Sequence, residues 1–219
     1  MARKEFAVIG LGRFGSNVAL TLESHGHHVL GIDANADIVQ QFSHLITQAV
    51  VLDSTNIEAL KAIDIKSFET AIVAIGADFE SSLMTTVSLK ELGVAHVVAK
   101  APTERQERIL LRVGADQVIR PEHESGKRLA ESLIAPHMLE HFGLGPDTDY
   151  SIAEFIVPDS LACQSLRQSN IRQRFGLNVL VIKRGKQVLV SPPAETILQP
   201  EDILIVLGHD GDIARFSHT

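Results

Sequence analysis

The stretch EFAVIGLGRFGS, residues 5–16, predicts the fold of the first half of the chain. An apolar run leads into Gly10, Gly12 and Gly15, which have the G-x-G-x-x-G spacing of a strand-loop-helix unit that binds dinucleotides. In such a unit the first glycine makes a tight turn, the second admits a pyrophosphate and the third lets helix and strand pack closely. Asp33 ends the next apolar run, where a carboxylate binds ribose hydroxyls and disfavours a 2′-phosphate. These features predict a nucleotide-binding domain, the alternative being a domain of the same fold that has lost its ligand.

The same strand-then-helix pattern occurs six times up to about residue 142. Its strands are mostly continuously apolar rather than alternating, which is typical of parallel strands that helices cover on both faces. The apolar runs occupy residues 6–12, 28–33, 48–53, 70–76, 96–101 and 116–122. The sequence thus predicts an α/β fold of the Rossmann type for residues 1–142, with a doubly wound parallel sheet of six strands.

Glycine, proline and aspartate interrupt both periodicities at FGLGPDTDYS, and residues 143–150 are predicted to form a linker. Residues 151–219 then follow a different order: a strand, a helical stretch, a hairpin that turns at Arg184-Gly185, a further strand and a short helix. This pattern predicts a small α+β domain whose hairpin strands are amphipathic at best. We expect this domain to dimerise in order to complete its core.

Composition and charge exclude several classes of function. The chain has 219 residues and a net charge of -7, and its 20 Lys and Arg residues are scattered, so nucleic acid is not an expected partner. No apolar stretch approaches the roughly eighteen residues that cross a bilayer, and no signal-peptide core is evident, so we expect a cytoplasmic protein. Cys163 is the single cysteine, which excludes an intramolecular disulfide and a thiolate-rich zinc site.

Polar residues follow several of the predicted strands, at the edge where the crevice of a Rossmann fold continues. Lys100 ends the fifth strand, where an ammonium can meet phosphate oxygens. Glu122 follows the sixth strand, and a carboxylate there repels phosphate unless a cation such as Mg2+, Ca2+ or Na+ bridges the two. An alternative role for Asp53, Ser54 and Thr55 is to cap the next helix. The predicted cofactor-binding residues are Gly10, Gly12, Arg13, Phe14, Gly15, Asp33, Ala34, Asn35, Asp53, Ser54, Thr55, Ile75, Gly76, Ala77 and Lys100, with Glu122 as the metal ligand.

No catalytic residues are predicted. Hydride-transfer enzymes on this fold need a group that moves a proton beside the nicotinamide. The only tyrosine, Tyr150, lacks a lysine four residues later, and the second domain offers only His209 and His218. His137 and His141 have the i, i+4 spacing of one helix face, which can bind a metal, but no third ligand is evident. An NAD-dependent oxidoreductase is therefore the weaker alternative to a ligand sensor.

Several motifs beyond the glycine loop carry a family likeness: GID with Asp33, VAIGAD, VVAKA, GADQVIRPE and EDILIVLGHDGDI. With FAVIGLGRFG they resemble the RCK (regulator of potassium conductance) family of cytosolic regulatory subunits of Trk/Ktr potassium uptake systems, over nearly the whole chain. The resemblance implies a homo-oligomeric ring, usually an octamer built from dimers, that docks on a membrane potassium-translocating subunit and changes shape when ATP replaces ADP. It also implies that Arg13 reaches the terminal phosphate of a nucleotide held by the neighbouring subunit, that Lys100 contacts phosphate and that Glu122 lies near a bound cation.

The small domain resembles the C-terminal RCK module, which in some members binds cyclic di-AMP at its dimer interface. The residues that fall where those members contact the ligand are Ile171, Arg172, Asn178, Pro192 and Pro193. The alternative for these residues is a purely structural dimer contact. For the first domain, NAD(H) is the alternative ligand, because Asp33 disfavours a 2′-phosphate but does not separate ATP from NAD(H).

Overall fold

The chain divides into two compact units, Met1–Glu124 and Ser125–Thr219. The computed structural model describes residues 3–134, 137–145 and 148–218. The first unit contains a parallel sheet and the second an antiparallel one. Within the described ranges no helix is both long enough and apolar enough to cross a membrane.

Strands and helices alternate along the first unit. They are β1 (Glu5–Ile9), α1 (Arg13–Ser24), β2 (His28–Asp33), α2 (Ala36–Phe42), β3 (Gln48–Val51), α3 (Ile57–Ala62), β4 (Thr70–Val73), α4 (Phe79–Glu91), β5 (His96–Lys100), α5 (Glu104–Arg112), β6 (Gln117–Ile119) and α6 (Pro121–Ile134), which continues into the second unit. The sheet order is β3-β2-β1-β4-β5-β6, and every neighbouring pair is parallel. The predicted six-stranded Rossmann sheet is confirmed.

Both faces of this sheet are buried, which explains why its strands are continuously apolar. On β1, Ala7 and Ile9 pack into one core together with Leu89 of α4. The intervening residue Val8 points to the other face and packs with Ala19 of α1. Because side chains alternate along a strand, an all-apolar strand supplies both cores at once.

The second unit has an antiparallel sheet covered by short helices. Its elements are β7 (Met138–Gly143), β8 (Tyr150–Ile156), α7 (Leu166–Ser169), α8 (Ile171–Phe175), β9 (Asn178–Arg184), β10 (Gln187–Val190), β11 (Ile203–His209) and α9 (Asp210–Phe216). The sheet order is β10-β9-β11-β8-β7. Arg184 pairs with Gln187, so the hairpin turns at the predicted place, and the α+β organisation is confirmed. Phe155 and Phe216 pack edge to face in the core, with ring centroids 4.9 Å apart.

A buried ion pair ties the hairpin of the second unit to the segment before β11. The Asp202 side chain is 1% exposed and accepts two hydrogen bonds from the Arg184 guanidinium, at 2.8 and 2.7 Å. The Gln199 amide also donates to this carboxylate, at 2.8 Å. Burial raises the pKa of the Asp202 carboxyl, but the hydrogen bonds from Arg184 and Gln199 outweigh burial and hold the pKa below its ordinary value.

The boundary between the two units differs from the prediction. The first unit ends at Glu124 rather than at residue 142, and the predicted linker, residues 143–150, connects two strands of one sheet. Residues 146 and 147 of that linker lie outside the described residues. His141 lies in β7, so the interpretation of His137 and His141 as one helix face is wrong. The run MLEHFG is short and apolar at positions that suit either period, so periodicity alone does not separate strand from helix there.

Candidate functional site

The glycine loop between β1 and α1 brings three elements into close contact. Gly10 has φ +92°, and a Cβ atom there would lie 3.2 Å from the backbone of Ala74 and Ile75, after β4. A Cβ atom at Gly15 would overlap the Gly10 carbonyl oxygen. At Gly12, by contrast, a Cβ atom would meet nothing within 4 Å, so the loop is open on that side. Two glycines therefore serve the packing, and the third borders free space.

The N-terminus of α1 differs from those of the four helices that follow it. Side chains cap α2, α3, α4 and α5, and the capping residues are Asn35, Asn56, Asp78 and Thr103. At α1 the N-cap is Gly12, with no side-chain hydrogen bond and no acidic residue in the first turn. The free N–H groups and the dipole of this 12-residue helix thus point out of the open loop. This arrangement favours an anion such as a phosphate.

Asp33 connects the end of β2 to the glycine loop. Its carboxylate accepts a hydrogen bond from the Leu11 amide at 2.8 Å and another from the Asn35 amide at 2.9 Å. Each oxygen keeps a further lone pair for a ribose hydroxyl. Ala34 and Asn35 are exposed beside it, and the Asn35 side chain caps α2. Asp33 therefore braces the loop, a role that the sequence motif alone did not indicate.

The three residues after β3 have separate roles. Asp53 is exposed and accepts hydrogen bonds from the Thr55 hydroxyl at 2.7 Å and the Thr55 amide at 3.0 Å, which hold the pKa of the Asp53 carboxyl below its usual value. The Ser54 hydroxyl is buried and bonds to Thr85 of α4 at 2.9 Å, so it faces the interior. The alternative that these residues cap α3 is wrong, since Asn56 is the cap.

Lys100, at the end of β5, has an enclosed ammonium group. Its side chain is 12% exposed, its Nζ lies 5.8 Å from the centroid of the Phe14 ring, and a Cβ at Gly76 would lie 3.3 Å from Nζ. The ammonium donates to Glu122 Oε1 at 2.6 Å. This hydrogen bond, with a smaller contribution from the charge of Arg13, holds the pKa of the Glu122 carboxyl below its usual value. The structure thus brings the glycine loop, the β4 end, Lys100 and Glu122 together at one edge of the sheet.

The predicted metal ligand stands alone. The structure places no group of three or more His, Cys, Asp or Glu in a position to hold a metal, as far as its described residues show. Glu122 is 68% exposed and engaged with Lys100. A cation there fits only if a ligand's phosphate oxygens complete its coordination.

The residues predicted for a second ligand lie in the second unit and differ in exposure. Ile171 is 2% exposed and belongs to the core, whereas Arg172 is exposed on α8. Asn178 begins β9, and Pro192 and Pro193 follow the end of β10. Because Val190 pairs with Val181 and the Ser191 amide bonds to the Leu180 carbonyl, these prolines and Asn178 lie at the same end of the hairpin. Three of the residues predicted for a second ligand therefore lie at this end of the hairpin: Asn178, Pro192 and Pro193.

The pairing of Lys100 with Glu122 was missed from the sequence, although each residue was predicted separately. Lys100 lies opposite Ile119 in the β5–β6 register, and Ile119 precedes Glu122 by three residues. The register of two adjacent parallel strands was the signal that could have placed the two charges side by side.

Two family models match the chain, the TrkA-N domain over residues 6–121 and the TrkA-C domain over residues 152–219. The chain is 39% identical over 214 residues to Ktr system potassium uptake protein C of Bacillus subtilis (strain 168), covering 98% of this chain and 96% of that relative. The chain belongs to the family of these Ktr proteins. Ktr system potassium uptake protein A of the same organism is 37% identical over 215 residues, with 98% and 96% covered. The resemblance to regulators of Trk/Ktr systems is confirmed at the level of the family.

Among solved structures, the Ktr-family chain is similar to the GsuK channel, with a TM-score of 0.72 and 19% identity. The match covers 99% of this chain and 39% of the channel chain. The TrkA-N domain of the inner membrane protein ybaL from Escherichia coli is similar to the first part of the chain, with a TM-score of 0.53, 19% identity and coverage of 61% and 98%. At such identities these two likenesses show the fold alone.

Proposed function

We propose that this chain is a non-enzymatic regulatory subunit of a potassium uptake system, and that it binds ATP and ADP at the edge of the parallel sheet. The observation that carries the proposal is the uncapped N-terminus of α1, open beside Lys100, in a chain 39% identical to a Ktr protein. The free amides of α1 bind one phosphate group, and Lys100 binds another. Asp33 accepts hydrogen bonds from the ribose.

Arg13 is the residue that we assign to the terminal phosphate. It is exposed, and its guanidinium makes no side-chain hydrogen bond within the part of the chain that the structure describes. A guanidinium that projects from the loop can reach a phosphate held by a second copy, which fits a homo-oligomeric ring, octameric and built from dimers. The ring docks on a membrane potassium-translocating subunit, so the chain is peripheral at the cytoplasmic face of the membrane.

The energy for regulation comes from a difference in affinity between two shapes of the ring. A tenfold preference of ATP for one shape supplies about 1.4 kcal/mol per site, and coupled sites add to the bias. We assign Glu122 as a ligand of a Mg2+, Ca2+ or Na+ ion that binds together with the phosphates. A cation adjacent to its carboxylate relieves the repulsion between carboxylate and phosphate.

For the second unit we propose cyclic di-AMP as a further ligand, bound between two copies near Arg172, Asn178, Pro192 and Pro193. The exposed guanidinium of Arg172 supports a phosphate contact, and the position of Asn178 beside the prolines supports a shared surface. Buried Ile171 gives the proposal no support, because its side chain belongs to the core.

Calorimetry with ATP, ADP, AMP, NAD+, NADH and cyclic di-AMP tests these assignments. We expect ATP and ADP to bind, and Arg13→Ala to abolish about a tenfold preference for ATP while ADP affinity stays within about twofold. Arg105→Ala removes an exposed arginine of α5 and is the matched control. Binding of NADH without adenine nucleotides would overturn the ligand assignment. Equal loss of ATP and ADP in the Arg13 variant would overturn the role of Arg13.

A further inference from the structure

Lys100 and Glu122 form an ion pair whose two partners differ in exposure. The lysine side chain is 12% exposed and enclosed by Phe14 and Gly76, whereas the glutamate side chain is 68% exposed. Because the ammonium has less free space around it, we expect the carboxylate to be the group that moves when the partners exchange.

The Glu122 carboxylate already neutralises the Lys100 ammonium to which a phosphate would bind. Nζ and Oε1 are 2.6 Å apart, the distance of a charge-assisted hydrogen bond. A phosphate that approached Lys100 would meet a second anion at contact distance, and like charges so close repel each other strongly. The lowered pKa of the Glu122 carboxyl agrees with this geometry, because the hydrogen bond from Lys100 stabilises the ionised form.

We propose that Glu122 is an internal competitor for phosphate: it occupies Lys100 in the ligand-free chain and leaves Lys100 when a phosphate takes its place, which also frees its carboxylate for the cation assigned to it above. The inference rests on the proposed nucleotide site and adds to it a residue that sets affinity. Glu122 lies in the first turn of α6, the helix that begins at Pro121 and continues beyond the division after Glu124. Exchange of partners at Lys100 therefore removes a side-chain contact from the first turn of the helix that leads into the second unit.

The test measures binding of ATP and of inorganic tripolyphosphate to the full chain by calorimetry, with a chelator present so that no divalent cation shields the carboxylate. We expect Glu122→Gln to bind both ligands about fivefold more tightly than the wild type, the upper end for a partly exposed pair. Glu124→Gln removes the same charge from the same turn without an ion pair among the described residues, and is the control. In a Lys100→Met background, the gain from Glu122→Gln should fall well below about fivefold, because the competition requires the ammonium and only the direct repulsion between carboxylate and phosphate remains.

Hydrogen exchange over residues 121–128 reports the release itself. Exchange should rise when tripolyphosphate is added to the wild type, and should be high and insensitive to ligand in Glu122→Gln. The inference is overturned if Glu122→Gln binds tripolyphosphate no more tightly than Glu124→Gln does. It is also overturned if hydrogen exchange over these residues falls when the wild type binds tripolyphosphate. If ATP binds no better than tripolyphosphate, nucleotide recognition fails, and the tripolyphosphate series still decides the role of Glu122.

Discussion

Replacing Asp202 by Asn should destabilise the second unit by about 2 kcal/mol. Breaking a fully buried ion pair costs about 3–5 kcal/mol, because the remaining charge is left without a partner. Arg184 lowers this cost, since its side chain is 29% exposed and also donates to the Ile197 carbonyl. The Asn carbonyl oxygen can in addition keep one of the bonds from Arg184 or Gln199. For a unit of this size the loss corresponds to a fall in Tm of about 8–16 °C.

The assay is urea unfolding followed by tyrosine fluorescence. The chain has one tyrosine and no tryptophan, and Tyr150 lies on β8, so the signal reports the second unit. The control is Glu195→Gln, which breaks an exposed ion pair with Arg167. The side chain of Arg167 is 73% exposed and that of Glu195 is 71% exposed. That change should cost no more than about 0.5 kcal/mol. Equal losses in the two variants would refute the reasoning from burial.

The pH dependence of the same comparison has a definite sign. Because the folded pKa of Asp202 is depressed, its stabilisation is fully present above the unfolded value of about 3.9. It is lost as the pH falls through the folded pKa. The difference in stability between wild type and Asp202→Asn should therefore be constant at neutral pH and shrink below about pH 4. A difference that grows as the pH falls would contradict the assignment.

Two further substitutions test the glycine loop. Gly15→Ala forces a methyl group into the Gly10 carbonyl, so it should lower the free energy of unfolding by about 2 kcal/mol and remove most of the nucleotide affinity. Gly12→Ala should fold normally, because its Cβ meets open space. Thermal melts measure stability and calorimetry measures affinity, and equal destabilisation by the two variants would contradict the packing. Asp33→Asn leaves one of two backbone amides without an acceptor and should cost about 1.5 kcal/mol in urea unfolding. Asp37→Asn, in the exposed first turn of α2, should cost no more than about 0.5 kcal/mol, and a similar loss there would speak against the brace.

The sequence predicts the strands of the first unit well because most of them lie in continuously apolar runs between helices. Alternation of strand and helix leaves few topologies open, and the G-x-G-x-x-G spacing fixes which strand begins the crevice. β7 was missed since MLEHFG, at Met138–Gly143, is short and fits either period. Its strand character comes from pairing with β8, a contact between residues that the local pattern does not contain.

The candidate site was predictable residue by residue but not as a set of contacts. The glycine spacing identified the loop, and position at a strand end identified Lys100 and Glu122. The direction of each side chain depends on packing, which is why the buried hydroxyl of Ser54 and the core position of Ile171 could not be foreseen. Tertiary contacts, which the local sequence does not contain, decide which way each of these side chains points.

The bond between the Leu11 amide and Asp33 closes the glycine loop onto β2 without any ligand. A loop that its own contacts already hold loses little conformational freedom on binding, so ordering of the loop adds little cost to the proposed phosphate binding. In the proposed site the loop is thus already formed, and the carboxylate of Glu122 is the group that has to move. Under the proposed function, the lifetime of each nucleotide complex then determines how long its signal persists after the surrounding pool has changed.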